Sequence, residues 1–466
     1  MGCNNYYIYA KNNSNYLIPM KSALHILFDA DSLAGRFLST LIYILLYDFI
    51  YEEYIYGVFG YIGDIDYRTM DSLRYISWII LSILPMCFYH KINNISTFLC
   101  LFVYVLVYIP MIHALFVIDG IPTSEIYTYA IILCFFFILY FQIHKIPLLK
   151  GLQIKPTLSL QVIEIITLLL TIIFIVSRAS SMHFVNIFTQ IDLLYELRAD
   201  NSSKVEERSL ILYIQGWLTG AFYPFLLVWY LKNKSRIKTG LILIGYLLIF
   251  MVDMQKSTFL IPFMLIGFYL LIKWKEQLIC NRLHSFIFWS LIIFSWVMMG
   301  ISDSDNKIIF TISSFLLLRT ICVTGWLTQM YIHFFHENPF TYYSHIHIVN
   351  AITNNYPYDV PLGMAVAYNS QNANATFFLT EGVASWGFIG VIITGFIFLL
   401  LLYLLDSVTL KYKKSEIFII FIPALFSMLN TSIFSTFLTG GLFIVIILFA
   451  SFEPQKRGNK RNMDNK

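Results

Sequence analysis

Residues 384–405 read ASWGFIGVIITGFIFLLLLYLL, a run without a single charged side chain. A helix rises about 1.5 Å per residue, so about 20 such residues cross the hydrocarbon core of a bilayer. Eleven further apolar runs, bounded by charges or turn residues, read the same way: 37–56, 72–90, 96–117, 124–143, 158–177, 209–231, 238–252, 256–273, 284–301, 415–431 and 436–452. Composition agrees with them. The 466 residues are 58% hydrophobic and only 12% charged, with a mean hydropathy of +0.70. Soluble domains carry about 25% charged residues, enough to cover a water-facing surface. Lipid offers the backbone no hydrogen-bond partner, so spans of this length are helices. The fold expected is an all-α integral membrane protein with about twelve transmembrane helices, forming a single polytopic domain over 1–466.

Orientation follows the basic residues in short loops. His90-Lys91, Lys145 to Lys155, Lys232 to Lys238, Lys273 to Arg282, Lys411 to Lys414 and the tail 453–466 are basic. With twelve spans they fall on one side, which places both termini in the cytoplasm. The net charge of +4 is small and sits in these loops. It is a topology signal, and a nucleic-acid surface is excluded. The segment 308–335 is also apolar, but counting it as a span breaks the charge pattern. It is expected to be a re-entrant or interfacial helix inside one large extracytoplasmic loop, 302–383. A first long extracytoplasmic loop covers 178–208. Long connections of this kind are usually functional.

Residues 1–35 are polar and aromatic, so the first span is expected to serve as the targeting signal. The start Met1-Gly2-Cys3 lacks the Ser or Thr at position six that myristoylation requires. The six cysteines form no CxxC pair and no zinc spacing. Asp64-Ile65-Asp66 and Asp303-Ser304-Asp305 have an Asp-x-Asp spacing, but two carboxylates do not fill an octahedral site. His333 and His336 share a helix face without a third ligand. No metal and no cofactor is expected. No P-loop, dinucleotide turn or HExxH is present.

Charges at membrane depth are costly and call for a reason. Arg319 stands alone in the apolar segment. Its guanidinium fits a phosphate, or it snorkels to the interface. Arg178 and Arg208 bracket the first long loop, as phosphate ligands or interfacial anchors. Arg198 between them reads as part of a solvated face. Lys256 lies in the turn Asp253-Met254-Gln255-Lys256-Ser257, on the side poor in basic residues, where an ion pair with Asp253 is its structural alternative. The stretch 337–382 is richest in Tyr, His and Asn. His345 and Glu381 are the candidate proton acceptors for a sugar hydroxyl. Loop bracing is the alternative for His345 and His347, and a helix N-terminal carboxylate for Glu381. Tyr343, Asn372 and Asn374 suit the faces and hydroxyls of a sugar.

Over roughly 238–405 the chain resembles the Wzy-type O-antigen and capsule polymerases, which join oligosaccharide repeat units. The residues that carry the resemblance are Lys256-Ser257, Leu318-Arg319-Thr320, His336-Glu337-Asn338-Pro339, Tyr343-Ser344-His345 and Tyr356-Pro357-Tyr358. They continue with Asn372-Ala373-Asn374-Ala375-Thr376 and the Gly-rich block Glu381–Gly390 at the head of a late span. The resemblance implies a metal-independent glycosyl transfer at the periplasmic face of a bacterial inner membrane. Donor and acceptor would both be undecaprenyl-pyrophosphate-linked oligosaccharides, with their tails among membrane lipids. Under it Arg319, Arg178, Arg208 and Lys256 are the pyrophosphate-binding cations. Arg319, His345 and Glu381 are the catalytic residues, and Asn372, Asn374 and Tyr343 bind sugar. A chain-length regulator and a flippase are the partners it implies. The alternatives are a polysaccharide flippase or transporter, and an O-antigen ligase or other lipid-sugar glycosyltransferase. Transporters place their polar sites near the midplane on broken helices, whereas here the unusual residues gather in outer loops.

Overall fold

The computed structural model describes residues 32–62, 65–90, 92, 94–149, 158–185, 193, 196–197, 201, 210–302, 307–368, 373 and 377–452. The described chain is helical, with no strand. Its helices are α1 (Leu33–Phe59), α2 (Ser72–Cys87), α3 (Ile95–Val117), α4 (Thr123–Lys145), α5 (Leu160–Ser177) and α6 (Leu210–Lys232). There follow α7 (Arg236–Asp253), α8 (Lys256–Ser302), α9 (Ile309–Glu337), α10 (His347–Thr353), α11 (Leu362–Val366) and α12 (Phe377–Thr409). The last four are α13 (Lys414–Ile420), α14 (Ile422–Asn430), α15 (Ile433–Leu438) and α16 (Leu442–Ser451). Among the described residues nine helical stretches are long and apolar enough to cross a membrane, α8 supplying two of them. The protein is a multi-pass membrane protein.

Several elements differ from the sequence expectation. The basic connection between 256–273 and 284–301 is itself helical, because α8 runs from Lys256 to Ser302. No Gly or Pro lies between Phe268 and Met299, and Lys, Glu, Gln and Leu are good helix formers. The run 415–431 is divided into α13 and α14, and 436–452 into α15 and α16. The segment set apart as interfacial or re-entrant, 308–335, is helical throughout and meets the length and hydropathy of a span. A π-helical turn at Leu318–Cys322 interrupts it. Two other π turns, Tyr51–Tyr56 in α1 and Tyr104–Tyr108 in α3, lie in the same unit. Single π turns recur at functional sites.

The chain forms two compact units. Unit one takes Met1–Ile146, Lys275–Leu400 and Met428–Ile433. Unit two takes Pro147–Trp274, Leu401–Ser427 and Phe434–Lys466. In unit one α3 is buried on nearly every side, and α9 is buried from Thr324 to Phe335 apart from His333. The tyrosines and phenylalanines of α1, α3, α4 and α12 interlock around α3, with Tyr108 over Phe137 at 4.4 Å and Phe377 edge-on to Phe398 at 4.8 Å. In unit two the side-chain amide of buried Asn201 donates to the carbonyls of Ser181 and Val252, at 3.0 and 2.9 Å.

The Gly-rich block of α12 does more than begin a span. Trp386 (φ −162, ψ 39) and Gly387 (φ 55, ψ −134) leave helical geometry, so α12 is two helices that meet at a break. Gly387 has a backbone open essentially to glycine. The two halves then touch backbone to backbone. A Cβ on Gly390 would lie 2.1 Å from the Gly382 carbonyl oxygen, and one on Gly382 would lie 2.4 Å from the Cα of Val391. Only glycines permit that approach.

Candidate functional site

A break in a helix leaves carbonyls without their usual partners. In α12 they are taken up by the loop after α9. Thr341 N–H donates to the Ala384 carbonyl at 2.9 Å, and Tyr342 N–H donates to that of Ser385 at 2.8 Å. Tyr342 and Tyr343 adopt left-handed backbone (φ 49 and 64), which bends the loop to the break. The Phe340 ring closes over Gly387. These contacts deliver His345 to the buried face of the first half of α12, where Glu381 is 1% exposed.

His345 Nε2 lies 2.6 Å from Glu381 Oε1. On its other side, Nδ1 lies 2.7 Å from Thr341 Oγ1. Thr341 is buried, and its hydroxyl donates its proton to the Ala384 carbonyl at 3.0 Å. A hydroxyl has one proton to give, so Thr341 Oγ1 accepts from Nδ1–H. One proton is then shared between Nε2 and Oε1. The second carboxylate oxygen, Oε2, is buried and makes no hydrogen bond to the described residues. Both side chains are nearly closed off from solvent.

Tyr343 stands beside the pair, its ring stacked on His345 at 6.4 Å. Its hydroxyl meets the Gly390 carbonyl at 3.0 Å and Thr394 Oγ1 at 3.1 Å. It thus clips the loop to the second half of α12. Burial raises its phenol above the ordinary range. Arg319 lies on the exposed stripe Ile312, Phe315, Leu316, Arg319 of α9, a lipid-facing pattern at i, i+3, i+4 and i+7. It is 14 residues before His333, roughly 21 Å along an ideal helix. His347 is exposed at the start of α10.

Two other expected cations belong to unit two. Arg178 ends α5, and its Nη2 donates to the Asn201 carbonyl at 3.0 Å. Partial burial lowers its guanidinium pKa from the usual value. Lys256 is exposed at the first position of α8. The Asp253 carboxylate beside it accepts from Gln215, from Thr258 and from the Gln255 N–H. Arg198, Arg208, Asn372, Asn374, Asp64, Asp303, Asp305 and the tail 453–466 lie outside the described residues.

Unit one also contains polar pairs that sequence reasoning passed over. His113, with no exposed surface, lies 2.7 Å from Asp48. Both belong to apolar spans, where any ionisable side chain is costly. The rings of Tyr47, Tyr51 and Trp78 surround the imidazole at 5.0, 4.9 and 5.5 Å. Asp66, noted in the sequence only for metal spacing, meets His333 at 2.6 Å. His336, noted in the same way, meets Glu125 at 3.2 Å. A charge inside an apolar run was the available signal for Asp48. For Asp66 and His333, 267 residues apart, no linear pattern exists. Among the described residues no group of three or more His, Cys, Asp or Glu gathers as metal ligands do.

Comparison of the chain with family models, with curated proteins and with solved structures found no match.

Proposed function

We propose that this protein is a membrane glycosyltransferase that polymerises undecaprenyl-pyrophosphate-linked oligosaccharide repeat units. One observation carries the reading: the two residues singled out separately as proton acceptors, His345 and Glu381, form one buried pair. An acid–base pair held by a broken helix and a loop rich in aromatics suits the activation of a sugar hydroxyl. The topology proposed with it has twelve spans, cytoplasmic termini, and the 302–383 region at the periplasmic face of the inner membrane. Arg319, Arg178, Arg208 and Lys256 are the proposed cations for the pyrophosphates, with Asn372, Asn374 and Tyr343 against the sugars. A flippase and a chain-length regulator are the proposed partners. The hydroxyl oxygen of the acceptor bonds to the donor's anomeric carbon. The bond from that carbon to the pyrophosphate oxygen breaks, and the pyrophosphate leaves with the electron pair to the cations.

Two features favour a second reading, a flippase or transporter for the same lipid-linked saccharides. The helix α12 is discontinuous, and the His113–Asp48 pair lies within spans. Transporters are built around such elements.

The polysaccharide length distribution separates the two. Cells lacking the protein are complemented with wild type, Arg319→Lys or Glu381→Gln, each confirmed in the membrane. Polymerisation requires that the deletion leave single-unit glycolipid, that wild type restore a ladder, and that Glu381→Gln fail to. Arg319→Lys also fails if the planar guanidinium is needed. Loss of all surface saccharide, single units included, favours a flippase or a ligase instead.

A further inference from the structure

The start of α1, the connection after α2 and the second span of α8, Arg282–Ile301, meet at one end of unit one. Arg36, half-buried in the first turn of α1, donates from Nη1 to the Tyr89 carbonyl and lies over the Tyr89 ring at 5.8 Å. The His284 ring lies 5.5 Å from the same tyrosine ring. Further along, Tyr43 of α1 meets Phe288 of α8 edge-on at 5.6 Å, so the two helices pack together from this end. The polar atoms here are poorly matched. Arg36 Nε is buried without a hydrogen-bond partner, and so is Thr40 Oγ1 one turn deeper on α1. His284 is 1% exposed, and both of its ring nitrogens are buried with no partner. Among the described residues no carboxylate pairs with Arg36. An imidazole with two unmet nitrogens beside an unneutralised guanidinium is costly at the end of a membrane span.

We infer that Arg36 and His284 bind the phosphate of an anionic phospholipid. Phosphate oxygens accept from the guanidinium and from the one N–H of a neutral imidazole, which are donors the described residues leave unmet. The phosphate charge also neutralises Arg36, whose planar fork suits it. The lipid's tails have a surface as well. Leu33 and Phe37 are exposed on either side of Arg36 along α1, and Phe286 is exposed two residues after His284. Exposed apolar side chains on spanning helices lie against acyl chains. A free, hydrated phosphate gains nothing from them, whereas a lipid gains burial of its tails. The neighbourhood favours a headgroup of net negative charge. His90 and Lys145 are exposed at the same end, where the His90 ring meets His144 at 5.0 Å. In the proposed topology this end lies at the cytoplasmic leaflet, the one rich in anionic lipid. The inference stands apart from the polymerase reading, because it needs neither a saccharide nor turnover.

The test uses the full chain in detergent and native mass spectrometry, with phosphatidylglycerol, phosphatidylcholine or inorganic phosphate added. Phosphatidylglycerol is expected to stay bound and phosphatidylcholine to bind more weakly. Arg36→Gln removes a charged hydrogen bond and is expected to lower the phosphatidylglycerol affinity about tenfold or more. His284→Phe keeps a ring, removes both nitrogens, and is expected to lower it about threefold or more. Arg236→Gln, at an exposed arginine that begins α7 in unit two, is expected to bind as wild type does. Unchanged affinity in Arg36→Gln or His284→Phe overturns the inference, as does an equal loss in Arg236→Gln or equal binding of phosphatidylcholine. Displacement of the lipid by an equimolar amount of inorganic phosphate identifies a free-anion site and overturns the lipid assignment. A second arm needs no variant. Phosphatidylglycerol carrying a photoactivatable diazirine in its acyl chain is crosslinked to wild type in nanodiscs, and the adducts are mapped by peptide mass spectrometry. Adducts concentrated at Leu33 to Phe37 and around Phe286 are expected. An even spread over the lipid-facing helices overturns the inference.

Discussion

Thr341 orients the imidazole of the His345–Glu381 pair. Its hydroxyl proton is committed to the Ala384 carbonyl, so it can serve His345 only as an acceptor. Thr341→Val keeps the shape, removes that acceptor and leaves Nδ1–H without it. The expected cost is about 1–3 kcal/mol of stability, read from thermal unfolding in detergent, with a shortened ladder. Asp66 offers a pH signature of a different sign from a histidine's. Burial raises its folded-state pKa, but the His333 hydrogen bond and the Asp119 N–H outweigh that and leave it depressed. Its stabilising contribution is thus complete above the ordinary carboxylate value of about 3.9 and is lost as pH falls through the lower folded value. Asp66→Asn is therefore expected to flatten the acid limb of the unfolding midpoint below about pH 4. At this scale the sequence was partly readable. His345 and Glu381 were visible as polar residues in an unusual loop and at the head of a span. Their pairing was not, because Glu381 lies thirty-six residues beyond His345 and the loop reaches it only through the backbone break at Trp386-Gly387.

At the scale of the element, α12 is the instructive case. The block Glu381–Gly390 reads in sequence as a loosely packed start to a span. Its glycines instead serve a turn-back and a backbone contact. Gly387→Ala meets a left-handed backbone and a Phe340 ring atom at 3.1 Å, with an expected cost of about 1–3 kcal/mol. Gly390→Ala sets a methyl group 2.1 Å from the Gly382 carbonyl oxygen, where neither side is a flexible side chain. It is expected to cost at least as much, and the doubly substituted protein to be recovered poorly from the membrane. Equal thermal midpoints for Gly390→Ala and wild type would mean the two halves of α12 do not touch. The apolar runs located helices well because their signal is length and hydropathy. They located breaks poorly, since α8 continues through a charged stretch that reads as a loop, and α12 breaks inside a stretch that reads as continuous.

At the scale of the whole molecule, composition alone settled the solvent, and the structure keeps that reading as nine apolar helical stretches among the described residues. The number of crossings is a finer matter, tied to whether α9 counts as a span. Labelling decides it. Single cysteines placed at His347 and at Lys411, in a chain otherwise without cysteine, are offered to a membrane-impermeant maleimide from outside the cell. The twelve-span topology expects labelling at 347 and none at 411. Labelling at neither position, with both labelled after permeabilisation, would place the whole His345 region in the cytoplasm and remove the lipid-linked saccharide from its reach. Charge in short loops could suggest this orientation because each basic cluster acts locally. Long-range pairings such as Asp66 with His333 have no such local sign, and they are where function was hardest to read.

The caps on the broken helix have a direction in time. Thr341 and Tyr342 precede Ala384 and Ser385 in the chain, so a ribosome feeding this protein into a membrane delivers the donors first. When the break in α12 emerges, the groups that satisfy its exposed carbonyls have already been made. A discontinuous helix can thus enter a lipid environment without a stage in which its open end has nothing to bind, and moving the 340–343 loop to the far side of α12 by circular permutation would remove that head start.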